Sequence, residues 1–98
     1  MSKETIKMRE IRLMQKSIKM SLMAYEHTAS VNRIAIGNFW DKEDDAESRK
    51  KLYKAHRGLT KARNSIKICQ CQLRDLKRDL RKLNRQHDFR MRVLEENT

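Results

Sequence analysis

The chain has 98 residues, of which 38% are apolar and 38% charged, and its formal net charge is +11. A chain this short and this charged cannot enclose a large globular core, so the composition leaves room for one thin domain, residues 1–98. There is no proline, there are only two glycines, and the most frequent residue types are good helix formers. We therefore expect an all-α protein built from two long helices.

The first helix is predicted over residues 3–37, with Ser2 or Thr5 as its cap. Two adjacent stripes of mostly apolar residues run along it. The first stripe is Ile11, Met14, Ile18, Leu22, Tyr25 and Ala29, and the second is Leu13, Met20, Met23, His27, Val31 and Ile34. Two stripes make an apolar face wider than one partner helix covers. Its methionines either fill an irregular core or form a deformable binding surface.

A turn is predicted at residues 38–41, because Gly37 and Asn38 suit the residue that follows a helix. Phe39 and Trp40 come next, and they either close the end of a helical hairpin or serve as exposed anchors for a partner. Asp41 is a suitable N-cap for the second helix, and the acidic residues 43–45 suit its first turn.

The second helix is predicted over residues 42–96, and it carries a heptad repeat. The a positions are Leu52, Leu59, Ile66, Leu73, Leu80, His87 and Leu94, and the d positions are Ala55, Ala62, Cys69, Leu76, Leu83 and Arg90. This repeat is typical of a left-handed coiled coil. Because its phase passes through Gly58 without a slip, we expect a continuous helix there, although a bend or break at Gly58 is the alternative. His87 and Arg90 either fix the register or mark the end of the intramolecular seam.

The two helices differ in predicted length, and a short turn makes them antiparallel neighbours. The first helix then covers the second only to about residue 76 at a rise of about 1.5 Å per residue. The sequence thus predicts a long antiparallel helical hairpin, or coiled coil, with an overhanging C-terminal helix that needs a partner or frays. The predicted protein-partner contacts are Phe39, Trp40, Leu80, Leu83, Phe89, Met91 and Leu94.

The outer face of the second helix is strongly basic. The predicted contacts to nucleic acid or to an acidic partner are Arg57, Lys61, Lys67, Arg74, Arg78, Arg81, Lys82, Arg85 and Arg92. A cationic surplus along a rod is typical of a surface that binds phosphates, mainly through the backbone and without reading sequence. The alternative is a basic face that only keeps the chain soluble.

No catalytic constellation, metal motif or cofactor motif is found in the sequence, and we expect no enzymatic activity. We expect Cys69 to be a small core residue and Cys71 to be a free thiol. Two cysteines that do not pair with each other are typical of a protein in the reducing cytoplasm. Neither a signal peptide nor a membrane span is apparent.

These features favour a non-enzymatic basic helical protein that regulates a protein partner by docking on it. Its general character suits a phage- or mobile-element-encoded modulator or inhibitor of a host nucleic-acid-processing enzyme, a hypothesis that no motif supports. The alternative is a direct, largely sequence-nonspecific RNA- or DNA-binding dimer, in which two hairpins form a four-helix bundle with basic faces outward. A membrane-surface role is disfavoured because the apolar seam is already used by the heptad pairing.

Overall fold

The structure is a computed structural model that describes residues 2–42 and 45–97. Two long helices, α1 (Lys3–Phe39) and α2 (Ala46–Glu96), are separated by a 3₁₀-helical turn at Trp40–Lys42. The helices pack against each other in antiparallel directions, and the described residues contain no strand. The predicted all-α helical hairpin is therefore confirmed.

The hairpin consists of two compact units, each containing a piece of both helices. The end unit comprises Met1–Lys19 and Cys71–Thr98, and the turn unit comprises Met20–Gln70.

Both ends of α1 depend on specific contacts. At its start, the hydroxyl of Ser2 accepts a hydrogen bond from the backbone N–H of Thr5 at 3.2 Å, so Ser2 is the N-cap. At its end, the predicted stop at Gly37 and Asn38 is wrong, because α1 continues to Phe39 and no described glycine has a positive φ. The centroid of the half-buried Phe39 ring lies 5.4 Å from the ammonium nitrogen of Lys51, a favourable cation–π contact between this last turn and α2.

The start of α2 is capped by Asp45 rather than by Asp41. The Asp45 carboxylate accepts hydrogen bonds from the Glu47 backbone N–H at 3.3 Å and from the buried Ser48 hydroxyl at 3.1 Å. The Asp45 carbonyl accepts the first helical bond, from Arg49 N–H at 2.9 Å. Asp41 lies in the 3₁₀ turn, so the helix begins four residues later than the sequence predicted. The predicted first-turn positions 43 and 44 lie outside the described residues.

In the turn unit, small residues bring the helices close together. Ala29 on α1 packs with Leu59 and Ala62 on α2, and Ile36 and Ile66 flank this core. Gly58 lies at the closest approach, because a Cβ there would come within 2.6 Å of the Asn32 side chain. The α2 helix passes through Gly58 without interruption, and the glycine makes room for the neighbouring helix.

In the end unit, α1 covers α2 much farther than the helix lengths suggested. The Arg90 guanidinium forms two parallel contacts with the Glu4 carboxylate, at 2.8 and 3.0 Å. The first turn of α1 therefore lies beside residue 90, and the prediction that cover ends near residue 76 is wrong. In the turn unit, Phe39 meets Lys51, because the segment between α1 and α2 is longer than the predicted turn at 38–41 and the first turn of α2 precedes this contact. Residues of α1 therefore pair with residues of α2 that lie farther along the chain than the sequence predicted. Only the last turn or two of α2 extend beyond the pair.

A single seam on α1 faces α2. It shares Ile11, Ile18, Leu22 and Ala29 with the first predicted stripe and no residue with the second. Its buried and half-buried members recur three or four residues apart, except for a step of seven from Leu22 to Ala29. In the end unit they are Glu4, Met8, Ile11, Gln15 and Ile18, and in the turn unit they are Leu22, Ala29, Asn32, Ile36 and Phe39. Every member of the second predicted stripe is exposed, from Leu13 to Ile34, as is Met14 from the first. α1 therefore has the wide apolar face that the sequence predicted, and among the described residues its second stripe is left exposed.

Candidate nucleic-acid interface

The densest charge in the end unit lies on the outer face of α2. Five cationic side chains follow one another at helical spacing, all are exposed, and they line one shallow groove of about 510 Å³. They are Arg74, Arg78, Arg81, Lys82 and Arg85. Because residues four and seven apart lie on one side of a helix, these head groups form a continuous positive surface, which we call the arginine cluster.

Little negative charge offsets the arginine cluster. Among the described residues, Asp75 alone forms an ion pair with it, at 3.4 Å from Arg78, and both partners are more than half exposed. Such a pair contributes little energy and opens readily to another anion. Asp79 lines a second groove with Lys7 and Glu10 of α1, and of the arginine cluster only Lys82 borders that groove. The cluster therefore keeps most of its positive charge available to a ligand.

The other predicted cationic contacts are also exposed, but they are more widely spaced. Arg57, Lys61 and Lys67 lie on α2 in the turn unit, where Lys67 shares a groove of about 370 Å³ with Arg63 and Asn64. Arg92 is exposed near the end of α2 in the end unit. The structure thus gathers only part of the predicted set into one compact cluster.

The predicted protein-partner residues at the turn differ in exposure. Phe39 is half-buried against Lys51 and belongs to the packing of the turn. Trp40 is 57% exposed, and its ring centroid lies 6.5 Å from that of His56 at a tilt of 58°. The indole thus has the His56 ring as a tilted neighbour, while much of its surface stays in solvent.

The predicted partner residues of α2 divide in the same way. Leu80 and Leu83 are half-buried, and Leu83 lines a groove together with Lys7 and Ile11 of α1, so they are less exposed than the sequence predicted. Phe89, Met91 and Leu94 are exposed near the C-terminal end of α2. His87 is half-buried in the seam, and its Nδ1 has no hydrogen-bond partner among the described residues. Of the two polar seam residues, Arg90 reaches across to α1 and extends the seam.

No group of three or more histidine, cysteine, aspartate or glutamate side chains suited to a metal ion occurs within residues 2–42 and 45–97. Cys69 is buried and Cys71 exposed, and both are free thiols. In the described part of the chain, neither helix has a stretch long and apolar enough to cross a bilayer.

Sequence reasoning missed Glu4, which is buried beside Arg90 in the end unit. A signal was available, since Glu4 stands one heptad before Ile11 and two before Ile18. Comparison with known protein families, with curated proteins and with solved structures gave no significant match. The features that bear on function are therefore the charge of the arginine cluster and the exposure of Trp40.

Proposed function

We propose that this protein is a non-enzymatic nucleic-acid-binding protein that holds the phosphate backbone on the arginine cluster. The observation that carries the proposal is the arginine cluster itself, in which five exposed cations share one face and a single weak ion pair opposes them. Arginine grips phosphate oxygens with two parallel hydrogen bonds, which favours this ligand over a diffuse cloud of anions.

The dimensions of the arginine cluster suit a polyanion. Arg74 and Arg85 are eleven residues apart on one helix, which corresponds to about 16 Å along its axis. One strand of duplex DNA presents about five phosphates over that length. The cluster consists only of arginine and lysine side chains on a shallow surface, and we expect their contacts to be mainly to backbone phosphates and independent of sequence.

Fluorescence anisotropy with labelled oligonucleotides of unrelated sequence tests this proposal. With five phosphate contacts, a plot of log K against log salt concentration has a slope of about −4.5 for duplex and about −3.5 for a single strand. The double variant Arg81→Gln/Arg85→Gln should bring the duplex slope closer to zero by about 1.8, because two contacts are lost.

The matched control removes the same charge elsewhere in the end unit. Arg9 and Arg12 are exposed on α1, and Arg9→Gln/Arg12→Gln lowers the net charge equally. This control should keep the wild-type salt slope. If both double variants lost binding affinity and salt dependence equally, net charge alone would attract the nucleic acid. The arginine cluster would then not be a specific phosphate-binding site.

A second candidate function, docking on a protein partner, is supported by Trp40. Trp40 is a large side chain that stays 57% exposed at the turn, and tryptophan is among the residues most enriched in binding hot spots. Trp40→Ala should abolish retention of such a partner from an extract of the source organism. Tyr53→Ala, which removes another exposed aromatic side chain of α2, should leave it unchanged. If neither variant alters the set of retained proteins, docking at the turn is excluded.

A further inference from the structure

The exposed side of α1 in the turn unit has a chemistry unlike the rest of the chain. The whole protein is 38% charged, yet residues 20–40 contain only Glu26 and Arg33 as charged side chains. Surfaces of soluble helices are normally rich in charge, and uncharged apolar patches on them mark interaction sites.

The apolar residues of this segment are far from covered. Met20, Met23, Val31 and Ile34 are 65%, 69%, 50% and 65% exposed. With the exposed Ala24 and His27, they form what we call the outer face of α1. The seam residues Ala29 and Ile36 point into the core of the turn unit, so the outer face points away from α2.

The spacing of the outer face is that of a second coiled-coil seam. Met20, His27 and Ile34 are seven residues apart, and Ala24 and Val31 each follow four residues after a member of that series. Such a repeat packs best against another helix with the same period. The face is therefore suited to a helical partner that is itself apolar and nearly uncharged along the contact.

We propose that the outer face of α1 binds the same face of a second copy of this chain. The charge distribution favours this occupant. A second copy supplies an uncharged apolar helix of matching period and length, and symmetric pairing of one patch is the commonest form of assembly. Pairing through α1 also keeps apart the basic side chains that α2 carries in the turn unit of each copy, by about 30 Å for three interhelical spacings. Repulsion over that distance is largely screened at a Debye length of about 8 Å.

The area of the face sets the expected strength of the contact. From the exposed fractions of its side chains, each copy can bury about 500 Å², so the pair buries about 1,000 Å², the low end for a specific interface. We therefore expect a reversible dimer with a dissociation constant of roughly micromolar size.

Sedimentation velocity over a range of protein concentrations tests the proposal on the full chain. The buffer contains high salt and no nucleic acid, so the result is independent of the function proposed above. The wild-type protein should shift from the monomer mass of 11.8 kDa to twice that mass as its concentration rises. Because the contact is uncharged, raising the salt concentration further should not dissociate the dimer.

A matched pair of isoleucines makes the test specific. Ile34 lies on the outer face of α1 and is 65% exposed, whereas Ile68 lies on α2 and is 59% exposed. Ile34→Lys should weaken dimerisation at least tenfold, and Ile68→Lys should leave it unchanged. Equal helicity by circular dichroism shows that both variants are folded. A wild-type chain that stays monomeric at hundreds of micromolar, or equal effects of the two variants, would overturn the proposal.

Discussion

Replacing Arg90 with methionine should destabilise the end unit, whereas replacing its partner Glu4 with methionine should not. The Glu4 side chain is 9% exposed and the Arg90 side chain is 56% exposed. Without Arg90, a buried carboxylate loses both of its charged hydrogen bonds. Without Glu4, the guanidinium turns into solvent, and a methionine replaces the buried carboxylate in a groove that Phe89 and Val93 also line.

The structure sets the size of this asymmetry. Loss of a hydrogen bond to a charged group costs about 1.5–3 kcal/mol, and loss of one partner of a fully buried pair costs about 3–5 kcal/mol. Because Arg90 is more than half exposed, the lower range applies to Arg90→Met. For Glu4→Met we expect the free energy of unfolding to change by less than about 1 kcal/mol, since replacing a buried charged residue by an apolar one often has little effect on stability. The double variant should recover most of the loss.

Urea unfolding followed by circular dichroism measures the four members of this cycle, and amide hydrogen exchange over the first turns of α1 locates the effect. The exchange measurement is needed because the first turn of α1 can open without unfolding the turn unit. The reasoning is refuted if the two single variants are equally destabilised. It is also refuted if the coupling energy is below about 0.5 kcal/mol, which is the value of an ordinary surface ion pair.

Two further predictions compare matched positions, first the two glycines and then the two candidate N-caps of α2. Gly37→Ala should raise the free energy of unfolding by about 1 kcal/mol, since nothing lies within 4 Å of the new Cβ. Gly58→Ala should be less stable than Gly37→Ala by about 1 kcal/mol or more, because its Cβ displaces the Asn32 side chain; equal effects in urea unfolding would contradict the close approach at this point. Asp45→Ala should lower stability by about 1 kcal/mol through loss of the cap, while Asp41→Ala should change it little. The same unfolding measurement compares the two, and a larger loss for Asp41 would contradict the assigned helix start.

The sequence alone was sufficient to predict the helical hairpin and the exposed basic face of α2. The heptads of α2 define a core side from Leu52 onward, and they leave Arg74 and Arg85 on the opposite side wherever the helix is continuous. This inference needs only local periodicity, which the absence of proline does not disturb.

The pairing register was beyond the sequence, because it depends on how the connection folds. A four-residue turn was expected, but the chain passes through a 3₁₀ turn and the Asp45 cap before Lys51 meets Phe39. The seam of α1 was predicted only in part, for a different reason. Three of its positions hold the polar residues Glu4, Gln15 and Asn32, which interrupt the apolar pattern. The exposed methionines beside them give a stronger periodic signal.

The two proposed surfaces lie on different helices, and their side chains explain why one chain can carry both. The α1 seam combines apolar residues such as Ile11 with small or polar ones such as Ala29 and Asn32, and further apolar residues of α1 face outward in the turn unit. The α2 seam uses leucines such as Leu59, so its outer positions are free to carry charge. In an ordinary two-helix hairpin, both outer faces would be mixed in charge. Here α1 is apolar and nearly uncharged on its outer side in the turn unit, and α2 is cationic on its outer side in the end unit. Packing within the hairpin does not require either feature, whereas two separate binding events would.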